Sequence, residues 1–192
     1  MKRFIVQFLQ KYNIFVRITN PRPMIRAVKQ KFGDSQIKGI EIGVWKGDNA
    51  LSICKCLNVQ RLYLIDPFKL YNEYKKDTGS WMVLKSFNQN KNEAVSKLSN
   101  YLEITSFIEE LSSTAFKDIK EKVNFVYIDG NHRYEYVKKD IQLYWNKLKK
   151  GGFIGGHDIE QIEVLRAVYE FAYERKATLH IIAPDWWIIK GE

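Results

Sequence analysis

Five apolar segments of the sequence each end in residues that are able to bind a ligand or move a proton. In chain order these residues are Glu41 with Gly43, Asp66, Ser106, Asp129, and the pair His157 and Asp158. Helical patterns separate the segments, which predicts parallel strands, and the carboxyl ends of such strands meet at one edge of an open α/β sheet. A hydrophobic core has no use for several carboxylates, whereas a ligand site or a metal site does. The sequence therefore predicts a functional site along this edge.

The first of these segments runs into a turn that contains two glycines, Gly43 and Gly47, and a helical pattern follows at once. Glycine allows positive φ and lets a ligand lie directly on the main chain, while a helix N-terminus offers unpaired N–H groups. The G-x-G-x-x-G dinucleotide pattern is absent, and Glu41 would repel a pyrophosphate but suits a cationic or amino-bearing ligand. The turn therefore predicts a site for a polar ligand of nucleoside size.

Together with Asp66, this turn resembles the class I methyltransferases that bind S-adenosylmethionine. A more specific resemblance lies further along the chain, in two stretches that read VYIDGNHRYEYV (126–137) and LKKGGFIGGHD (148–158). They are similar to the I-D-G-x-H-x-Y-x-x-V…L-x-x-G-G…H-D signature of a bacterial methyltransferase group related to the catechol and macrolide sugar O-methyltransferases. The resemblance covers residues 38–160, and the first 35 residues match no family that we can name.

The resemblance implies S-adenosylmethionine as the cofactor and assigns residues to it. The glycine turn would lie under the methionine part of the cofactor, with Asn49 near its amino-acid head, and Asp66 would hold the ribose. Ser106 or Phe107, at the end of the third predicted strand, would lie beside the adenine. The full set of implied cofactor positions is Glu41, Gly43, Val44, Trp45, Gly47, Asn49, Asp66, Ser106, Phe107 and Asp129.

The resemblance also implies catalytic roles for His132 and Asp129. His132 falls where relatives place a general base, and the ordinary histidine pKa of about 6.5 suits removal of a hydroxyl proton near neutral pH. Without the motif, the preferred interpretation of His132 would be a side chain that braces its loop by bonding to the backbone.

A divalent metal ion, magnesium or similar, is a further implied cofactor. Asp129, His157 and Asp158 correspond to the three ligand positions of the metal-dependent members of the group. An ion held there would lower the pKa of an acceptor hydroxyl and align it with the methyl donor. His157 stands where those relatives more usually carry a carboxylate or an amide, which favours a softer ion than magnesium, or no metal at all.

The elements that must position these residues alternate between strand and helix along the chain. This alternation predicts an α/β fold with a Rossmann-like, doubly wound, mostly parallel seven-stranded sheet. A C-terminal antiparallel hairpin over 178–182 and 186–190 is expected to close the sheet. The third strand is predicted over 101–106.

The domain organisation expected from the sequence is simple, because no linker, repeat or low-complexity tract interrupts it. We expect residues 1–192 to form a single class I methyltransferase domain in which 1–35 are an N-terminal helical cover. Helices are predicted over 2–17 and 24–32 within that cover. The polar and aromatic segment 68–80 is predicted to be a lid loop.

Composition narrows the classes of function. A chain of 192 residues with 45% hydrophobic residues is large enough for one folded domain with a substantial core. The net charge of +9 is spread along the chain in pairs such as Lys138 and Lys139, which is typical of a solvated surface rather than a nucleic-acid-binding block. Cys54 and Cys56 are predicted to be reduced thiols. The sequence contains no segment long enough to span a bilayer, so we predict a soluble, cytoplasmic protein.

The sequence as a whole therefore predicts an S-adenosylmethionine-dependent methyltransferase that acts on a hydroxyl group of a small molecule, such as a sugar, a phenol or a natural product. One alternative is a nucleic-acid methyltransferase, which the positive charge encourages and the lack of an N-P-P-Y-type motif disfavours. A second alternative is a non-catalytic binding protein that keeps the cofactor fold. The predicted partner is a small-molecule acceptor, and the sequence leaves a homodimer open.

Overall fold

The structure is a computed structural model that describes residues 21–69 and 81–192, excluding the side chains of residues 81–87. Its strands are β1 (Ile37–Ile42), β2 (Val59–Ile65), β3 (Thr105–Ile108), β4 (Val123–Ile128), β5 (Leu148–Gly156), β6 (Leu179–Ile182) and β7 (Asp185–Ile189). The α-helices of the described ranges are α1 (Pro23–Phe32), α2 (Asp48–Cys56), α3 (Trp81–Lys97), α4 (Ser112–Ala115), α5 (Tyr134–Trp145) and α6 (Ile162–Arg175).

The strands form one seven-stranded sheet in the order β3-β2-β1-β4-β5-β7-β6. Strands β1 to β5 run parallel, and β7 is antiparallel to both β5 and β6. The predicted Rossmann-like, mostly parallel sheet with a C-terminal hairpin is therefore confirmed. β1 lies between β2 and β4, where the direction of winding reverses, and ligands of open α/β sheets bind at such a point.

Strand β4 shows how the two faces of the sheet are covered. Val126 and Ile128 belong to a buried hydrophobic cluster with residues of α5 and α6. Phe125 and Tyr127, which point to the opposite face, belong to a second cluster with residues of α1 and α2. Because both faces are packed, β4 reads in the sequence as an almost continuous apolar run. The core thus holds the carboxyl end of β4, and the residues after it, in a fixed position.

The third strand lies further along the chain than predicted. Ser99–Tyr101 form a 3₁₀ helix, and Thr105 Oγ1 donates a hydrogen bond to the Tyr101 carbonyl oxygen at 3.0 Å. The strand therefore begins at Thr105 and ends at Ile108, instead of spanning 101–106. The apolar pattern alone did not distinguish this tight turn from the start of a strand.

The helix α2 begins at Asp48, although Asp and Asn are residue types that favour the position just before a helix. The residue that precedes the helix is Gly47, in the left-handed conformation with φ of 75°, and no side chain caps the helix. The Asp48 carboxylate instead accepts a hydrogen bond from Lys97 Nζ at 3.0 Å. The Asn49 side chain contacts Glu41, near the end of β1.

Two predicted segments lie outside the described residues, namely the helix over 2–17 and most of the loop over 68–80. Within the described ranges, no helix is both long enough and apolar enough to cross a bilayer. The single domain over residues 1–192 stays a prediction.

Candidate functional site

A cavity of about 440 Å³ opens at the carboxyl ends of β1, β2 and β4, where the sheet order predicts a ligand site. The predicted site residues that line it are Glu41, Gly43, Val44, Trp45, Asn49, Asp66, Asp129 and His132. A cavity of this volume lies within the range typical of small-molecule sites. Most of the residues predicted from separate segments of the sequence are thus brought to one place.

The glycine turn is packed directly against the segment that follows β4. Gly43 has φ of 85°, and a Cβ atom at this position would lie 2.0 Å from the Asp129 carbonyl oxygen. The Asp129 N–H donates a hydrogen bond to the Ile42 carbonyl oxygen at 2.7 Å. No residue with a side chain fits at Gly43 unless the backbone moves, so glycine keeps β1 and β4 close together at the cavity floor.

Asp66 connects the end of β2 with the glycine turn. Its Oδ2 atom accepts hydrogen bonds from the backbone N–H groups of Val44, at 3.0 Å, and Trp45, at 2.9 Å. Its Oδ1 atom accepts one from the Phe68 N–H at 2.8 Å. The carboxylate therefore orders the backbone of the glycine turn and that of the residues just after β2. Carboxylate oxygens accept several hydrogen bonds each, so Asp66 retains capacity for a ligand hydroxyl.

Glu41 is a buried carboxyl group with an unsatisfied oxygen. Its side-chain Oε1 accepts a hydrogen bond from Asn49 Nδ2 at 3.0 Å, whereas Glu41 Oε2 and Asn49 Oδ1 have no partner among the described residues. Burial raises the pKa of Glu41 to about 8, and the Asn49 hydrogen bond opposes the rise. Buried polar atoms normally have partners. Asn49 Oδ1 is an unsatisfied acceptor beside the cavity, and Glu41 Oε2 becomes a second one when Glu41 loses its proton. Together they fit a ligand that brings N–H donors, such as an ammonium group.

Asp129 lies between the side chains of Arg22 and His132. Arg22 Nη1 donates a hydrogen bond to Asp129 Oδ2 at 2.6 Å, and His132 Nε2 lies 3.6 Å from Asp129 Oδ1. Burial raises the pKa of Asp129, but His132 and Arg22 outweigh it, so the net pKa is lowered. Asp129 is therefore a carboxylate at neutral pH and stabilises positive charge on both neighbours.

His132 faces a second carboxylate as well. Its Nε2 atom lies 2.9 Å from Asp158 Oδ2, and the same oxygen lies 3.0 Å from His157 Nδ1. The contact of His132 Nε2 with Asp158 becomes an ion pair when the imidazole is protonated. Asp129 and then Asp158 raise the pKa of His132, while burial opposes the rise. The arrangement stabilises an imidazolium ion and hence suits a group that accepts a proton.

The predicted metal ligands do not all converge. Donor atoms of Asp129, His132 and Asp158 lie within 4.8 Å of one another, and this group does not include His157. His157 Nδ1 instead lies 3.0 Å from Asp158 Oδ2. The His157 backbone N–H donates a hydrogen bond to the Ile128 carbonyl oxygen at 3.1 Å. The spatial cluster therefore contains the predicted base in place of the predicted histidine ligand.

Ser106 and Phe107 are not at the cavity. Because β3 extends to Ile108, both residues lie within the strand; Arg61 Nη1 donates to Ser106 Oγ at 3.2 Å, and the Phe107 ring packs against Phe68. The cavity is lined on this side by the residues that follow the strand, namely Leu111, Ser112 and Ser113. Contact of Ser106 or Phe107 with an adenine stays a prediction, since both residues lie within β3 and do not line this cavity.

Arg22 and Asp140 are among the cavity residues that sequence reasoning missed. Asp140 is buried in α5, where it accepts a hydrogen bond from Ser112 Oγ at 2.5 Å, and burial raises its pKa to about 7. The sequence contains one indication of it, namely an acidic residue next to Ile141 on the apolar face of the helix predicted after the fourth strand. Arg22 carried only a weak signal, its position between Pro21 and Pro23.

Part of the chain is similar in sequence to one family of known proteins. Residues 40–159 match the sequence profile of a family described as a methyltransferase domain. None of the curated proteins compared with the chain matches it.

Several solved structures share the fold. A putative caffeoyl-CoA O-methyltransferase from Staphylococcus aureus is 14% identical, with 99% of each chain covered and a TM-score of 0.65. CalS11, a TDP-rhamnose 3′-O-methyltransferase, is 12% identical, with 100% of this chain and 88% of its own covered and a TM-score of 0.60. A putative rRNA methylase from Clostridium thermocellum is 14% identical, with 90% of this chain and 97% of its own covered and a TM-score of 0.62.

Proposed function

The chain belongs to the methyltransferase-domain family and is therefore an S-adenosylmethionine-dependent methyltransferase; from that premise we propose that it methylates a hydroxyl group of a small molecule. The observation that carries the proposal is the position of His132, which lines the cavity and lies 2.9 Å from Asp158. Methylation of a hydroxyl group requires loss of its proton, and a histidine between two carboxylates suits its removal. The fold shared with O-methyltransferases that act on a CoA ester and a nucleotide sugar supports the same choice of acceptor.

The cofactor is proposed to bind across the glycine turn. When bound, S-adenosylmethionine supplies a methyl group on a positively charged sulfur that leaves as a neutral thioether. The unsatisfied oxygens of Glu41 and Asn49 would accept hydrogen bonds from its amino group, and Asp66 would accept them from the ribose hydroxyls. The backbone of Val44 and Trp45, held by Asp66, would support the ligand between these two ends.

His132 is proposed to act as the general base. In neutral His132, Nε2 is buried against Asp129 and Asp158 and would keep its proton there. The acceptor hydroxyl would give its proton to Nδ1 as its oxygen bonds to the methyl carbon and the bond from that carbon to sulfur breaks. Asp129 and Asp158 then stabilise the imidazolium ion, since both carboxylates raise the pKa of His132. These groups are partly buried, which strengthens their interaction with the developing charge.

A resident divalent ion does not fit the arrangement of these residues. Arg22 already pairs with Asp129 Oδ2 at 2.6 Å, and His157 lies outside the group whose donor atoms converge. An ion bound by the converging group would take His132 as a ligand and remove the proposed base. We therefore propose that methyl transfer proceeds without a resident metal ion.

The N-terminal segment is proposed to cover the cavity as part of a single domain. Met24, Ile25 and Val28 of α1 are fully buried, and the Met24 N–H donates to Asp185 Oδ2 at 3.0 Å. These contacts hold the start of α1, and Arg22 just before it, at the edge of the site.

RNA is the competing acceptor, because the chain carries a net charge of +9 and shares its fold with a putative rRNA methylase. Binding of RNA to a basic surface releases counterions and weakens steeply with salt. Salt-sensitive methyl transfer to RNA would identify this alternative.

The test of the proposed function is calorimetric titration with S-adenosylmethionine and S-adenosylhomocysteine, followed by methyl transfer from labelled S-adenosylmethionine. Acceptors are offered by class, as nucleotide sugars, phenols, CoA esters of phenolic acids, and RNA. We expect Asp66→Ala to abolish cofactor binding and the exposed control Asp118→Ala to retain it. A folded wild-type protein that binds neither compound would overturn the proposal.

A further inference from the structure

The Arg22 side chain reaches the reaction centre from a segment that precedes the first strand. Its Nη1 atom donates to Asp129 Oδ2 at 2.6 Å and contacts Tyr127 Oη at 2.9 Å, and its guanidinium carbon lies 5.5 Å from the centre of the Tyr127 ring. The side chain retains 31% exposure and lines the cavity. A permanently charged group is therefore placed on the carboxylate that the family resemblance assigns to a metal ion.

A buried network holds Arg22 in this position. Tyr127 Oη donates to Asp185 Oδ1 at 2.9 Å, and the other oxygen of Asp185 accepts the Met24 N–H at 3.0 Å. Tyr127 and Asp185 are fully buried. Because this network joins β4, β7 and the start of α1, it restricts both the guanidinium group and the backbone that carries it.

Arg22 also determines which oxygen of Asp129 faces the base. The Oδ2 atom is engaged by Arg22, so Oδ1 is the atom that lies toward His132 Nε2, at 3.6 Å. The side chain of Asp129 is 19% exposed, so a second cation that approached it would meet an ion pair already largely removed from water. Displacing the guanidinium group would leave it without its carboxylate partner in this partly buried position.

We propose that Arg22 is a positioning residue that takes the place of a divalent cation at Asp129, excluding metal from the site and orienting Asp129 toward His132. The proposal deepens the proposed function and rests on it for the role of His132. It predicts that the positive charge at Asp129 is an intrinsic part of the chain, independent of metal supply. The N-terminal cover would then be required for catalysis as well as for enclosing the cavity.

Manganese binding to the full chain tests the proposal directly, measured by electron paramagnetic resonance of free Mn²⁺ and by calorimetry. The variants are Arg22→Met, Arg22→Lys and the double variant Arg22→Met with Asp129→Asn. Arg26→Met is the matched control, because Arg26 lies on α1 and its Nη1 donates to the Pro21 carbonyl oxygen at 3.0 Å. It removes the same charge without contacting Asp129.

We expect Arg22→Met to bind Mn²⁺ about tenfold or more tightly than the wild type, and the double variant to lose that gain. Arg22→Lys keeps a positive charge at Asp129 and should therefore resemble the wild type, as should Arg26→Met. Methyl transfer by the wild type should not change on addition of a chelator, whereas added Mn²⁺ should lower the residual activity of Arg22→Met, because the bound ion would take His132 as a ligand.

Two results would overturn the proposal. The first is tight Mn²⁺ binding by the wild type, or loss of its activity with a chelator, and this test needs no variant. The second is a folded Arg22→Met, or Arg22→Gln if Arg22→Met does not fold, that gains no Mn²⁺ affinity. Binding of S-adenosylmethionine is measured on the same wild-type sample, so that the two proposals can fail separately. If the cofactor does not bind, the proposed function is wrong, whereas the manganese results still test the role of Arg22.

Discussion

The carboxylates at the ends of β1 and β2 are held differently from those at the ends of β4 and β5. Asp66 accepts hydrogen bonds from three backbone N–H groups, and Glu41 accepts one from the side-chain amide of Asn49. Asp129 and Asp158, by contrast, face the side chains of Arg22, His132 and His157, which are charged or can become so.

The difference matches two separate tasks. Backbone and amide dipoles fix a carboxylate without adding net charge, which suits the binding of a ligand that brings its own positive charge. Charged neighbours shift the pKa of an acid or base, as Asp129 and Asp158 do for His132, and this suits proton transfer. We therefore regard the β1–β2 side as the binding half of the site and the β4–β5 side as its reactive half.

The strongest test of this division is His132→Gln, which removes the base from the reactive half. We expect the rate of methyl transfer to fall by about 10²–10⁴-fold, because this is the usual contribution of a general base. The dissociation constant for S-adenosylmethionine should not change. Single-turnover kinetics and calorimetry measure the two quantities, with His180→Gln in β6 as the control. An unchanged rate would place the base elsewhere.

The contact between the two halves is tested by Gly43→Ala. The new Cβ atom would lie 2.0 Å from the Asp129 carbonyl oxygen at φ of 85°, so we expect a loss of stability of about 3 kcal/mol or more. Gly151→Ala is the control, because φ is 76° and the nearest atom, Lys31 Cε, lies 3.9 Å away, and it should lose less stability. Urea denaturation measures both. Equal losses would show that the glycine turn does not pack tightly on the segment after β4.

Glu41, in the binding half, should make the stability of the protein depend on pH. The pKa of Glu41 is raised from its ordinary 4.5 to about 8, so the unfolded chain releases this proton first. The apoprotein should therefore lose stability as pH rises from about 4.5 to 8. Glu41→Gln removes this loss.

We expect Glu41→Gln to raise the melting temperature at pH 8 by at least about 2–4 °C, the shift that corresponds to about 1 kcal/mol in a protein of this size. The difference from the wild type should shrink toward pH 5, and cofactor affinity should decrease. Thermal melts across this range measure the effect, with exposed Glu103→Gln as the control. A difference that does not vary with pH would contradict a raised pKa.

The smallest predicted effect is a shift in the pH profile of the reactive half. His132 must be neutral to accept a proton, so activity should rise with pH through its raised pKa. Asp158→Asn removes one of the carboxylates that raise this pKa and should move the midpoint to lower pH, by up to about one unit. Profiles of kcat/KM measure the shift, and Glu160→Gln, two residues away and exposed, should leave the midpoint in place.

The binding half was predictable from sequence because its contacts are local. Glu41, Gly43 and Asp66 follow two consecutive apolar segments, and their hydrogen-bond partners lie within 22 positions along the chain. The alternation of apolar strands and amphipathic helices likewise predicted the sheet, since each element must bury one or both of its faces. The adenine-side prediction at Ser106 and Phe107 stays a prediction; the strand that carries them begins after a 3₁₀ helix that the apolar pattern did not reveal.

The sequence by itself determined the fold, the glycine turn and the order of carboxylates along one edge, because short-range patterns encode them. Only the tertiary structure decided that Arg22 meets Asp129, 107 positions away, and that His132 joins Asp158 rather than only its neighbour in the motif. Contacts of this kind depend on how strands and helices pack in space, and no local pattern records which distant side chain will arrive. The charge at the reaction centre is therefore a property of the folded chain.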